Sequence, residues 1–412
     1  MKILIVNHYA GAPRLGRELR PYFLAKYWQS AGHTVTVAAA DHSHLRHNDP
    51  VEGPGPESRS YGGVDYLFFP TPRYNDSVAG RGRNIAAFVK GVWQAAPGLA
   101  EQFRPDVVIA QSGYPYDFFA ARRIAARCGA KTVLEVRDLW PQQLRERFRY
   151  AAGHRAVRFA SYALRRAVGE ADHVVTVLPG GADYLASFGL RPEKHTLILS
   201  GVSASGKTVP PPAGMAEKLE RFRGKDGLLV MYCGNVGINH DLRPFVESAA
   251  LLENRMRLVV VGNGGNKITL KRLSREMNLQ NLLFLDGVLP GQIPAVLQTA
   301  DLLFFPVRPS HQLQYGIASA KLLGYMLAEK PVLCDADPAC NPVRLADCGM
   351  VVPGRSAEEI AGGIRALAAV EEPLRQEMGR RGREYVLSHR EYRLLARQYL
   401  ALLEGLKGEG EP

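Results

Sequence analysis

A chain of 412 residues exceeds what one hydrophobic core usually supports, so two domains are expected. With 46% hydrophobic and 22% charged residues it is not a disordered chain, and no run reaches the ~18 consecutive apolar residues of a membrane span. The 52 basic against 40 acidic residues leave a net charge of +12, which implies anionic company: nucleic acid, lipid headgroups or phosphorylated substrates.

Met1–Asn7 is too short an apolar run for a signal peptide and reads as a strand. Further strands are predicted at Thr34–Ala39, Asp65–Phe69, Asp106–Ala110, Lys131–Val136, His173–Val177 and Thr196–Leu199. Helical patterns separate them at Leu19–Gln29, Ile85–Phe103, Phe118–Arg127 and Ala156–Val168. Short apolar strands alternating with helices indicate a parallel sheet covered on both faces. From Arg145 to Arg166 seven arginines interleave with Phe148, Val157, Phe159, Tyr162 and Leu164, a mixture that suits either a membrane-surface helix or a solvated face. Pro210-Pro211-Pro212 and a charged stretch interrupt the pattern before it resumes at Leu228–Cys233, Leu258–Gly262, Leu282–Leu285, Leu302–Phe305, Val332–Leu333 and Met350–Val352. The expected division is an α/β domain over 1–205, a linker over 206–227, a second α/β domain over 228–385, and a C-terminal helix over 386–412 that crosses back onto the first domain. Ligands of such doubly wound sheets bind at the carboxyl ends of the strands.

Five scattered cysteines fit reduced thiols and a cytosolic compartment; Cys334, Cys340 and Cys348 lack the paired spacing of a zinc site. Four glycine-bearing turns follow strands: Asn7 to Gly16, Gly234-Asn235-Val236-Gly237, Gly262-Asn263-Gly264-Gly265 and Asp286-Gly287-Val288. Each taken singly reads as a tight turn or as an anion cradle. The first is not a GxGxxG, and no acid ends the second strand, which argues against a dinucleotide fingerprint. Further on, Gly316 leads to Ser319, a helix cap, with Lys321 in the first turn of an apolar helix and Pro331 opening a strand. Unpaired amides, the positive dipole end and an adjacent cation suit a diphosphate. The same segment also reads as an ordinary buried helix with a snorkelling lysine.

Three segments of the second half, Leu228–Gly237, Val260–Gly264 and Ser319–Val332, resemble the donor half of family-4 (group 1) retaining glycosyltransferases of the GT-B fold. Arg20–Ala25, Gly32–Val37, Ser43-His44-Leu45-Arg46 and Leu134–Pro141 resemble the bacterial branch that builds surface polysaccharides, including N-acetyl-fucosamine transferases. The resemblance implies two Rossmann-like domains facing a central cleft, a UDP-sugar donor on the second and the acceptor on the first. It implies a metal-independent reaction with no cofactor. Gly16, Arg17, Gly234, Asn235, Ser319, Ala320 and Lys321 would hold the diphosphate, and Gly262, Gly264, Gly287 and Val288 the nucleobase and ribose. His44, Tyr114 and Arg137 would lie on the acceptor side. The acceptor implied is a glycan or a polyprenyl-diphosphate-linked sugar at the cytoplasmic membrane face; no nucleic-acid partner is expected, since no recognised binding module stands behind the basic charge.

Departures from the family pattern accompany it. Two acids eight residues apart are common in the family, and here those positions are Gly316 and Gly324. Arg and Lys of many relatives are Asn235 and His240, and a sugar-contacting histidine has no counterpart at Gln111–Tyr114. Lys321 is therefore expected to be the main leaving-group cation. Asp138 is a candidate to orient or deprotonate the acceptor hydroxyl, or else a helix N-cap. Rival readings are a nucleotide-sugar epimerase or hydrolase on the same scaffold, and a binding subunit without turnover.

Overall fold

The computed structural model describes residues 1–408 apart from Arg14, Arg17, His47, Glu52, Asp76, Ser205, Lys207, Ile238, Asn239, Pro309 and the side chain of Arg147. Arg17, expected at the diphosphate, thus lies outside the described residues. The chain forms two compact units, Met1–Gly201 with Tyr392–Pro412, and Val202–Glu391.

The first unit carries β1 (Lys2–Val6), α1 (Arg20–Ser30), β2 (Thr34–Ala40), β3 (Glu57–Tyr61), β4 (Val64–Phe69), α2 (Val78–Phe103), β5 (Val107–Ala110), α3 (Asp117–Cys128), β6 (Lys131–Val136), α4 (Gln142–Phe148), α5 (Arg155–Glu170), β7 (His173–Thr176), α6 (Gly181–Ala186) and β8 (His195–Leu197). The second carries α7 (Met215–Arg223), β9 (Leu228–Cys233), α8 (Arg243–Ser248), β10 (Met256–Val261), α9 (Lys267–Glu276), β11 (Leu282–Leu285), α10 (Ile293–Gln298), β12 (Leu302–Phe305), α11 (Ala320–Leu327), β13 (Val332–Cys334), α12 (Pro342–Leu345), β14 (Gly349–Val351), α13 (Ala357–Ala369) and α14 (Glu372–His389). The last helix, α15 (Tyr392–Gly408), belongs to the first unit.

The first sheet runs β3-β4-β2-β1-β5-β6-β7-β8, parallel except for β3. That strand is polar and was not expected. It forms because Gly62 and Gly63, with φ of +58° and +86°, close a two-residue hairpin in which Tyr61 pairs with Val64. Successive β1 residues serve opposite cores, Ile3 and Ile5 on one face and Leu4 and Val6 on the other. Helix α15 fills the first face with Leu395, Ala396, Tyr399 and Leu403, and the Trp28 indole donates to Ala396 O at 2.9 Å.

The second sheet runs β11-β10-β9-β12-β13-β14, and its strand pairs are parallel. This is the doubly wound order in which strand sequence reverses about the first strand. The charged stretch within 206–227 folds into α7, whose Leu219 is buried in this unit's core. Strand order reverses between β9 and β12 in this sheet and between β1 and β5 in the first, and the carboxyl ends of the strands at such a reversal are where doubly wound sheets bind ligands.

Candidate functional site

In the second unit, α11 begins beside the end of β9. Ser319 caps the helix, its hydroxyl accepting from the Leu322 amide, and Leu322, Leu323, Tyr325 and Met326 form the buried stripe. The Tyr325 hydroxyl donates to Cys233 O at 2.8 Å and accepts from Cys233 N at 2.7 Å. One turn earlier on the same face, Lys321 is therefore set against the end of β9. Its ammonium donates to the Tyr232 hydroxyl at 2.9 Å, stands 4.8 Å over that ring, and lies 3.2 Å from His240 Nε2. Tyr232 in turn donates to Asn235 O at 2.7 Å.

The glycines make these approaches possible. A Cβ on Gly234 would stand 2.7 Å from the Lys321 ammonium. Gly262 and Gly264 have φ of +154° and +156°, and a Cβ on either would fall within 2.3 Å of the Gly234 or Val236 carbonyl oxygen. The Gly234 amide is already donated to Val261 O at 2.9 Å, so Gly234 contributes room beside Lys321 instead of a hydrogen bond to a ligand. The amides with no partner inside the helix are those of the first turn of α11, near Ser319, Ala320 and Lys321.

At the β11 edge, Lys267 is buried and donates to Leu285 O, Asp286 Oδ1 and Asn263 Oδ1, at 2.8, 2.8 and 3.2 Å. It joins the two turns expected to face the nucleobase, where Gly287 packs near Asn263 and Val288 against the core. Sequence reading missed Lys267, Tyr232 and Tyr325. The usable signal was Asn263 and Lys267 four residues apart across a glycine turn.

Gly316 and Gly324 differ in kind. Gly316 is buried at φ +111°, where a side chain is strained, whereas a Cβ on Gly324 meets nothing within 4 Å. The glycine at 316 follows from the backbone, while 324 has space for the missing acid.

In the first unit the carboxyl ends of β1 and β5 bring different chemistry together. His8 is fully buried and stacks between Tyr9 and Phe88, at 4.3 and 4.9 Å. Its Nε2 pairs with Asn84 Oδ1 at 2.6 Å and its Nδ1 with the Tyr114 hydroxyl at 2.8 Å. Burial brings its pKa down to about 3, so the ring is neutral and serves packing. Tyr114 is thus engaged inside the unit. His44 is exposed and bonds the Tyr74 hydroxyl at 2.8 Å, and Arg137 pairs with Glu18 at 2.5 Å. Gly16 bridges to Arg46, and a Cβ there would stand 2.7 Å from Leu45 O. Asp138 accepts from the Gln143 side chain at 3.0 Å. It does not cap α4, whose N-cap is Pro141, because the chain turns for three residues before the helix starts.

Residues 20–201 match the family described as "Glycosyl transferase 4-like domain", and residues 217–385 match "Glycosyl transferases group 1". The two matches together make the chain a glycosyltransferase of the GT-B fold, with the group 1 domain as its second half. The likeness of this glycosyltransferase to solved structures spans its length. It is similar to sucrose-phosphate synthase from Thermosynechococcus elongatus at TM-score 0.73 and 15% identity, covering 100% of both chains. It is also similar to HepE of Anabaena in complex with UDP, at TM-score 0.68 and 16% identity over 98% of this chain and 100% of that one. WaaG, a glycosyltransferase involved in lipopolysaccharide biosynthesis, gives TM-score 0.65 and 16% identity, again over 98% and 100%. At such identities the likeness shows the fold. No curated protein sequence matches.

Proposed function

We propose that this glycosyltransferase moves an amino-deoxy sugar from a UDP-sugar donor to a polyprenyl-diphosphate-linked glycan, with retention at the anomeric carbon. The observation that carries the reading is Lys321 at the start of α11, a helix that Tyr325 anchors to Cys233, beside Gly234 and at the strand-order reversal of the second sheet. As the bond from C1 to the diphosphate oxygen breaks, both electrons leave with the diphosphate, the acceptor hydroxyl oxygen bonds C1 from the same face, and its proton passes to the departing diphosphate. The ammonium, the first-turn amides and the helix dipole then meet the added negative charge. HepE, a structural relative, is named as a complex with UDP, which favours uracil over other bases. The expected result is thermal stabilisation by UDP in preference to GDP, ADP or dTDP, and a product of unchanged anomeric configuration by NMR. A different base preference or an inverted product overturns the corresponding part. Conversion of donor without acceptor supports an epimerase or hydrolase, and no UDP release with acceptor present supports a binding subunit.

The same reading places the protein at the cytoplasmic membrane face. Among the described residues no helix is long and apolar enough to cross a membrane. Helix α5 instead exposes Arg155, Arg158, Arg165 and Arg166 with Phe159 (60%) and Tyr162 (56%). Binding to phosphatidylglycerol vesicles is expected to weaken as salt rises from 50 to 500 mM, ~5- to 50-fold if two or more arginines contribute, and to fall in Phe159→Ala. Salt-insensitive binding, or none, removes this assignment.

A further inference from the structure

A diphosphate esterified to a sugar and a nucleoside carries two negative charges, and Lys321 supplies one positive charge. The group beside it is His240. An ammonium has donors only, so the imidazole nitrogen 3.2 Å from Lys321 Nζ presents its lone pair, and the ring is neutral in the free site. Burial first, and the charge of Lys321 second, bring His240 from 6.5 down to about 4. Around it stand Lys321 from α11 and Tyr232 from β9, whose ring centre is 6.3 Å away. Cys233, raised to about 11 by burial, adjoins them and stays a neutral thiol. Asp241 follows in the chain, its side chain accepting from the Arg243 amide at 3.2 Å, with the buried Asp335 and its partner Arg355 beyond.

We propose that His240 is the second cation of this site: a nucleoside diphosphate group draws the Lys321 ammonium to itself, the freed Nε2 lone pair takes up a proton from solvent, and the imidazolium binds the same diphosphate. The inference rests on the reading of this site as the donor-diphosphate site. Removing the repulsion from Lys321 and adding two negative charges both favour the charged ring, so binding and proton uptake are linked. The sign follows: the bound state holds more protons, and affinity rises as pH falls.

Isothermal titration of the full chain with UDP-glucose tests this, because the diphosphate of a nucleotide sugar does not itself titrate between about pH 5 and 8. The expected result is uptake of up to one proton, read from two buffers of different ionisation enthalpy. Kd is expected to tighten by up to about tenfold per pH unit as pH falls through the bound-state pKa. His240→Gln is expected to bind weakly at every pH, and His240→Lys tightly at every pH, both without the slope. Binding without proton uptake, or a slope that persists in His240→Gln, overturns the role of His240 while leaving the donor site standing. If UDP-, GDP-, ADP- and dTDP-glucose all fail to bind at any pH, the donor-site reading fails and this inference with it.

Discussion

Lys321→Ala is expected to lower kcat by roughly 10²- to 10³-fold at saturating donor, the loss seen when one preorganised donor to a developing charge is removed. The folded state should be nearly unaffected, because Lys321 is half-buried at the mouth of a glycine turn and outside the core. UDP release in the presence of lipid-linked acceptor measures the effect, and an unchanged thermal midpoint separates it from misfolding. Turnover kept at saturating donor would falsify the assignment. A second readout comes from His240. With the ammonium gone, one of the two influences lowering its pKa disappears, so its ring should titrate above about 4. Burial remains, so the value should stay below the ordinary 6.5.

The largest stability effect is expected in the first unit, at the Arg20–Glu135 pair. Arg20 opens α1 and Glu135 lies on β6, with 2% and 0% side-chain exposure. The guanidinium meets the carboxylate through two hydrogen bonds of 2.9 and 3.1 Å and donates to Ile198 O and Leu199 O beyond β8. Gln111 adds a third bond to the carboxylate at 2.9 Å, and Arg137 approaches it at 3.9 Å. Glu135→Gln therefore leaves one buried guanidinium without its counter-charge, at a cost of about 3–5 kcal/mol. For a unit of this size the thermal midpoint should fall by roughly 6–20 °C. Replacing both partners, Arg20→Met with Glu135→Leu, should recover much of the loss, because it removes the unpaired buried charge. A single substitution costing under about 1 kcal/mol would show that water already screens the pair.

Most strands were legible because they are short, continuous and apolar, and those at the centre of each sheet are buried on both faces, as Leu229–Cys233 and Thr132–Val136 illustrate. The helix at Ser319 was legible from its cap, its apolar stripe and the proline beyond. The polar strand β3 was not, since its pairing depends on a Gly-Gly turn and not on hydrophobic alternation. For Lys267 and His240 the sequence offers only a spacing from Asn263 and a place on the loop after β9. Their roles come from contacts between segments 18 to 81 residues apart.

What the sequence determined by itself is the two doubly wound α/β units and the placing of glycine turns at strand ends, because both follow from local periodicity and backbone sterics. It also marked Lys321 as a cation at a helix start. Only the tertiary structure decided which partners that cation has. Tyr325 anchors α11 to Cys233, and this brings Lys321, Tyr232 and His240 to one point. It likewise decided that Gly234 supplies space instead of an amide, and that Gly316 is required by its backbone while Gly324 is not. The physical reason is the same in each case. Burial, charge and hydrogen-bond satisfaction depend on neighbours remote in sequence, which periodicity does not encode.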